Sequence, residues 1–428
     1  MKKPILLCIG LLSTLQSFSK QFDVYLDYAT LPSLNMMFDL VEKKDNQQIE
    51  RIIGFERFNL SEDKLSAFPQ GKISFSKVSL KDFTAFSDLL VNKIAQSDEL
   101  VELFIHTNLD HSFYNLPNVL EKLSPIANKF TIKHLYLYDD GSMNYKDLYE
   151  HREQDIKKLL ASSQNELAKK LASHSNNNEL DSISRYTWHK FFPTDYILLR
   201  PDYLTIDEKM QPLKEFIGNN VSAMSWSRFE KLSPEQKTLF LKLVNVDENT
   251  LHKLKNNSEE RTFIFTGTTT WEKDKDKRLA NAKTQVKVLE DFLKPDGKFY
   301  LGNKIKVFFK GHPKGDEINE YILKQTGAEN IPANIPFEVL MMTNSLPDYV
   351  GGIMSSMYFS LPATHINKVI FLDSDKVKNK NDAKAQTLSK LMLMLNVITP
   401  EQIAFEEIPE TKKNSFFKQA FDTLRSKF

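Results

Sequence analysis

The sequence has few of the residues that would make several kinds of site. Its 428 residues hold one cysteine, Cys8, which excludes a disulfide framework and any cysteine-rich zinc or iron–sulfur centre. Neither sign of charge is in excess: 57 basic and 56 acidic side chains leave a formal charge of +1. A general nucleic-acid binder carries a strong basic excess, so that class is set aside. Glycine is scarce, at 13 residues, about half the usual share of ~7%. Spacings of the His-x-x-x-His kind are lacking, and no stretch beyond the N-terminus is long and apolar enough to span a membrane. What is present is ordinary for a globular protein, 41% hydrophobic and 26% charged. At roughly 100–200 residues per domain the length suggests two or three domains.

Met1-Lys2-Lys3 precedes a short apolar run from Ile5 to Leu12, followed by Ser17-Phe18-Ser19. A basic start, a short apolar core and small residues two apart read as a secretory leader over 1–19, with a buried N-terminal helix or strand as the alternative. Cys8 follows Leu6-Leu7 rather than a small residue, which argues against a lipoprotein anchor. Removal of the leader takes away Cys8 and two lysines, so the formal charge becomes −1. The leader points to the periplasm or a membrane-associated place, with the cytoplasmic face as the alternative.

Short β-branched or aromatic runs then alternate with helical patterns. Expected strands are Phe22–Asp27, Arg51–Phe55, Ile73–Leu80, Leu100–His106, Phe130–Tyr138 and Tyr196–Leu199. Helices are expected at Leu31–Glu42, Phe83–Ala95 and Pro234–Val244, with one long helix over Asn144–Ser173. A polar stretch at Lys253–Arg261 reads as a linker. A second alternating set follows, with strands at Thr262–Thr266, Lys304–Phe309, Val350–Ile353 and Val369–Leu372. Its helices are expected at Leu279–Phe292, Glu317–Lys324, Phe337–Met342 and Lys384–Leu395, and Lys412–Ser426 reads as a further amphipathic helix. Two consecutive doubly wound α/β halves predict a ligand cleft at the carboxyl ends of their strands.

Four strand ends carry residues suited to chemistry. Tyr138-Asp139-Asp140-Gly141-Ser142 supplies a general base beside a sharp turn, or else a plain turn with a helix cap. Phe309-Lys310-Gly311-His312-Pro313 brings a lysine and a histidine together, suited to a phosphate or oxyanion. Gly351-Gly352-Ile353-Met354-Ser355-Ser356 lets the chain approach a ligand and sets two hydroxyls before a helix, for phosphate or for capping. Thr266-Gly267-Thr268-Thr269-Thr270-Trp271 ends in an aromatic platform that suits a sugar ring or a core. Asp373-Ser374-Asp375 has the shape of a metal–nucleotide motif, but its place near the C-terminus favours a charged turn.

Taken together, these motifs resemble the bacterial sialyltransferases of glycosyltransferase family 80, which include the multifunctional Pasteurella enzyme. The resembling segments are Tyr25–Asn35, Leu135–Tyr145, Phe263–Glu272, Phe308–Pro313 with Glu317–Leu323, Asn330–Thr343 and Val350–Pro362. The resemblance implies a GT-B fold of two Rossmann-like domains facing a central cleft. An acceptor-side domain would cover 20–257 and a CMP-donor domain 258–410, with the helix at 411–428 returning to the first. It implies an inverting, metal-independent transfer of N-acetylneuraminic acid from its CMP donor to a galactose-terminated glycan, with α-2,3 the expected linkage. No cofactor is implied, since CMP-sialic acid is a substrate. Lactose-like, glycolipid and lipooligosaccharide acceptors all fit.

By the resemblance, Asp140 is the general base, with Asp139 as fallback, and His312 assists departure of the phosphate. Glu338 would hold the ribose hydroxyls and Ser355 and Ser356 the phosphate, while Lys310, Gly311 and Pro313 sit where the cytosine is held. His111 and Trp271 match positions that contact the acceptor, beside Asp140 itself. Where the lactose-using relative has an asparagine soon after a Lys-Asp pair, this chain reads Lys81-Asp82-Phe83, which leaves acceptor and linkage open. A monomer is expected, with peripheral membrane association as an option. The alternatives are a GT-B transferase for another nucleotide sugar and a two-lobed, non-catalytic glycan-binding protein.

Overall fold

The computed structural model describes residues 19–26, 29–79, 82–173, 180–254, 260–270, 273–361, 370–371 and 383–404. Residues 1–18 of the expected leader, the middle of the linker, Lys81, Trp271, Asp373–Asp375 and the 412–426 helix lie outside the described residues.

Six runs of five to nine residues and one of three form the strands of a first parallel sheet. They are β1 (Ser19–Leu26), β2 (Ile49–Phe55), β3 (Ile73–Lys77), β4 (Leu100–Asn108), β5 (Phe130–Tyr138), β6 (Thr194–Leu198) and the short β7 (Val221–Ala223). Their spatial order is β3-β2-β1-β4-β5-β6-β7, with every pairing parallel. The helices between and after them include α1 (Thr30–Glu42), α2 (Thr84–Ala95), α3 (Leu109–Leu123), α4 (Ser142–His151), α5 (Ile156–Ser173) and α6 (Pro234–Leu243).

Two expectations are corrected. The single helix over Asn144–Ser173 is two, α4 and α5, because Asp155 Oδ1 accepts from Lys158 N at 3.1 Å and starts a new helix. Arg152, in the break, turns aside to pair with Asp207 at 3.0 Å. The strand from Ile73 stops at Lys77 rather than Leu80, where Ser79 N donates to Asp82 O at 2.8 Å and closes a turn.

The second sheet repeats the pattern. Its strands are β8 (Arg261–Thr266), β9 (Ile305–Lys310), β10 (Glu329–Ile331), β11 (Tyr349–Ile353), β12 (Ile370–Phe371) and β13 (Ile403–Ala404), in the order β10-β9-β8-β11-β12-β13. Helices include α7 (Lys275–Leu293), α8 (Asp316–Thr326), α9 (Phe337–Met342) and α10 (Ala383–Met394). Ranked along the chain, both sheets read third-second-first-fourth, so each reverses direction beside its first strand, where a crevice opens at the carboxyl ends.

Alternation along β8 divides its neighbours: Phe263 and Phe265 pack with Phe292 and Phe309, whereas Ile264 joins the core that extends into the first unit. Helix α10 lies against α4, and Tyr145 stacks on Phe359 at 6.1 Å between ring centroids. No described helix is long and apolar enough to cross a membrane.

A buried polar cluster ties α1 to the first sheet. The Lys43 ammonium lies 2.9 Å from carboxylate oxygens of both Asp23 and Asp39, and the Tyr25 hydroxyl donates to Asp39 at 2.6 Å. Asp23 is fully buried, so removing the lysine leaves a charge with little access to water. Lys43→Met is therefore expected to lower unfolding stability by about 3 kcal/mol, the low end for a broken buried pair because Lys43 is partly exposed. Urea denaturation checks this, and a loss below about 0.5 kcal/mol would mean the cluster is not a structural tie.

Candidate active site

The carboxyl ends of both sheets line one cavity of about 340 Å³, within the range of small-molecule sites. From the first sheet come Thr30, Arg57 and Asp140; from the second come Gly267, Lys310 to Lys314, Glu338, Ser355 and Ser356. The structure thus gathers Asp140, Lys310, Gly311, His312, Pro313, Glu338, Ser355 and Ser356 at one place, although they span more than half the sequence.

The two adjacent aspartates have different tasks. Asp139 is fully buried and its oxygens are taken: Gly141 N donates at 2.9 Å, Leu199 N at 3.0 Å and Asn144 Nδ2 at 3.3 Å, and the Tyr145 hydroxyl adds a further short bond. Asp139 therefore shapes the turn, which Gly141 completes with φ of +105°. Asp140 is left half-buried at the cavity wall. Burial raises its pKa to about 7, and the neighbouring charge of Asp139 adds to the rise. Asn108, Arg57 and Arg185 act in the opposite sense, although the Asn108 amide nitrogen stops short of a formed hydrogen bond. A carboxylate poised there can take a proton near neutral pH.

Across the cavity, Lys310 is the last residue of β9, largely buried, and donates to Ala333 O at 2.8 Å. Burial lowers its pKa to about 7, Arg57 lowers it further, and Glu338 opposes the shift. Gly311 leaves room for Asn319, because a Cβ there would lie 2.3 Å from the Asn319 Oδ1; Asn319 in turn donates to His312 O at 2.9 Å. Lys314 N donates to His312 Nδ1 at 3.1 Å, so the neutral ring carries its proton on Nε2. Burial, then Arg57, Lys310 and Lys314, lower the His312 pKa to about 4, so the ring is neutral at neutral pH in the free protein.

Glu338 sits in the first turn of α9, buried, and accepts from the Ser360 hydroxyl at 3.0 Å; burial raises its pKa. Ser355 and Ser356 follow β11 and open a four-residue 3-10 turn, Ser356–Phe359, rather than a full helix. Ser355 makes no side-chain cap bond there, and both serines line the cavity. His111 lies in the first turn of α3, half-buried, and is not among the cavity-lining residues.

Sequence reasoning missed two residues. Arg57, two residues beyond β2, lines the cavity and donates from Nε to Thr30 Oγ1 at 2.8 Å. Asn108 caps α3, its Oδ1 accepting from His111 N, and turns its amide toward Asp140. Their signal lay in position alone, a polar residue at or just past the end of a strand of the sheet that carries Asp140. Asp23, Asp39 and His106 form a group with metal-ligand spacing, but it is crossed by the Lys43 ammonium, which already supplies a cation to both carboxylates.

The chain is similar to known proteins over nearly its whole length. Residues 22–403 match the family model described as sialyltransferase PMO188. Among solved structures, a Photobacterium sp. JT-ISH-224 2,6-sialyltransferase in complex with donor product CMP and acceptor lactose is 32% identical, at TM-score 0.82, covering 90% of this chain and 78% of that one. The GT-B domain of a Photobacterium damselae sialyltransferase is 35% identical at TM-score 0.81, with 90% and 99% covered. An α/β-galactoside α-2,3-sialyltransferase from Photobacterium phosphoreum is 26% identical at TM-score 0.77, with 92% and 100% covered. No curated protein sequence gives a significant match. The two parallel sheets have the GT-B arrangement, and the alternatives of another nucleotide-sugar transferase or a non-catalytic binding protein fall away. With the family model matched across both sheets and the cleft between them, this chain belongs to the PMO188 sialyltransferase family and is a glycosyltransferase.

Proposed function

We propose that the cleft transfers N-acetylneuraminic acid from its CMP donor to the terminal galactose of a glycan, with inversion, and forms an α-2,3 linkage. The observation that carries this reading is the placement of Asp140 on one wall of the cavity, opposite Lys310, His312 and the two serines on the other.

An acceptor hydroxyl is a weak nucleophile. As its oxygen forms a bond to the anomeric carbon, Asp140 takes its proton. The bond from that carbon to the phosphate oxygen breaks on the opposite side, and its electron pair leaves with CMP. Ser355 and Ser356 and the Nε2–H of His312 donate to the departing phosphate, and Lys310 supplies positive charge. A phosphate anion offsets the cations around His312 and raises its pKa in the complex, which strengthens this donor. Arg57, whose Nε is held by Thr30, presents its remaining donors to the sialic acid carboxylate. Glu338 accepts from the ribose hydroxyls, and the chain at Gly311 and Pro313 holds the cytosine. His111 and Trp271 are assigned to the acceptor side. Relatives of both linkages share this fold, so product linkage analysis with lactose decides between α-2,3 and α-2,6. The leader is assigned to export, which fractionation of the native host tests.

Asp140→Asn is expected to lower kcat by about 10²–10⁴-fold while CMP affinity, measured by calorimetry, stays within about twofold. Retained transfer would remove Asp140 from its role. Side-chain cations here stand in for a metal ion, so excess chelator is expected to leave the rate unchanged; a strict metal requirement would contradict the mechanism.

The base must be ionised to act, so kcat/KM is expected to rise with pH through an apparent pKa near 7, the value burial gives Asp140. The Asn108 amide favours the charged form, so its removal shifts that limb to higher pH. Asn108→Ser keeps an oxygen to cap α3 and isolates this effect. A limb that stays in place, or moves to lower pH, would place the titrating group elsewhere.

A further inference from the structure

A second cavity, of about 710 Å³, lies on the first unit between the start of α2 and the length of α3, with the end of α5 at its side. Helix α3 connects it to the catalytic cleft. The cap of α3, Asn108, turns toward Asp140, and Tyr114, the first residue of α3 to line the second cavity, follows His111 by one turn. His111, Tyr114, Asn118 and Lys122 recur at three- and four-residue steps on one face of the helix. At 1.5 Å per residue, the path from His111 to Lys122 is about 16 Å, the reach of several sugar units.

The chemistry of the lining narrows its ligand. Tyr114 is 49% exposed, a large ring that the core does not use, and Phe83 faces the same cavity. Ser87 and Asn118 add hydroxyl and amide groups. Asp82 and Glu121 balance Lys122 and Lys170, so the lining carries no net formal charge and offers nothing to a polyanion or an anionic membrane surface. Lys170 is only 8% exposed, yet among the described residues it makes no hydrogen bond or ion pair; burial lowers its pKa and the field of Glu121 alone opposes that. Its stem is covered while its ammonium keeps contact with solvent at the groove, where it can donate to ligand hydroxyls. Aromatic faces beside neutral hydrogen-bonding groups suit a sugar, whose rings present C–H faces and hydroxyl rims.

We propose that this groove is a second carbohydrate subsite, holding the inner sugars of a longer neutral acceptor whose terminal galactose sits at Asp140. The inference rests on the sialyl-transfer reading for the terminal sugar, but the groove's affinity for sugars does not. Steady-state kinetics with CMP-sialic acid compare lactose with a galactose-terminated neutral tetrasaccharide, in the wild type, Tyr114→Ala and Tyr114→Phe. Tyr114→Ala is expected to raise KM for the tetrasaccharide about fivefold or more, equivalent to roughly 1 kcal/mol, while lactose kinetics stay within about twofold. Tyr114→Phe keeps the ring and is expected to behave as wild type. An equal effect on both acceptors, or none on either, overturns the subsite. Saturation-transfer NMR with the inner trisaccharide, which lacks galactose, separates the two claims. Binding that Tyr114→Ala abolishes supports the groove even if no sialoside forms, whereas absence of binding beside normal transfer to lactose rejects the groove alone.

Discussion

The hydrogen bonds on Asp139 hold the Asp140 wall of the cavity together. Four donors from three parts of the chain, the Gly141 turn, α4 and the loop after β6, converge on this one buried carboxylate. Because Asp139 is saturated, the next residue is the one turned to the cavity, and the direction of Asp140 follows from bonds it does not itself make. Tyr145 extends the same arrangement: it donates to Asp139, accepts from Arg200 N at 2.6 Å and stacks on Phe359 of the second unit. The geometry of Asp140 is thereby linked to the contact between the two sheets.

Around that wall the decisive quantity is desolvation. Burial pushes the carboxyl of Asp140 up and the amine of Lys310 down, each to about 7, so both groups sit near the point where a small change in their surroundings changes their charge. His312 is driven further, to about 4, by burial and by three neighbouring cations. Arg57, Lys310 and Lys314 converge on that side with only the Glu338 carboxyl to offset them. In the proposed mechanism a bound phosphate adds a further anion, and its binding strengthens the same donors that then stabilise it as a leaving group. The scarcity of charge imbalance in the sequence as a whole conceals this local excess.

Much of this was legible in the sequence, and the gaps have physical causes. Phe130–Tyr138 and Phe337–Met342 match their elements residue for residue, because strong apolar patterns there end at clear turn residues. The motifs at Asp140, Lys310–Pro313 and Ser355–Ser356 were legible since glycines or paired polar residues mark each strand end, whereas Glu338, inside α9, came from the family resemblance alone. Helix α3 went unnamed: Pro117 lies inside it and interrupts the helical signal. The strands β7, β10 and β13 have two or three residues each, too few to show a period. Arg57 carries no motif, and only the fold brings a lone cation after β2 opposite Lys310. The altered state of His312 was not legible either, since it depends on cations that sequence separation hides.

The central claim is that one cleft activates an acceptor hydroxyl and releases CMP in a single displacement. Proton NMR of the reaction of β-linked CMP-sialic acid with lactose follows the anomeric configuration of the first product directly. The account predicts an α-sialoside as the first species formed, in step with free CMP. A β-linked first product, or CMP released with no sialoside, would contradict it.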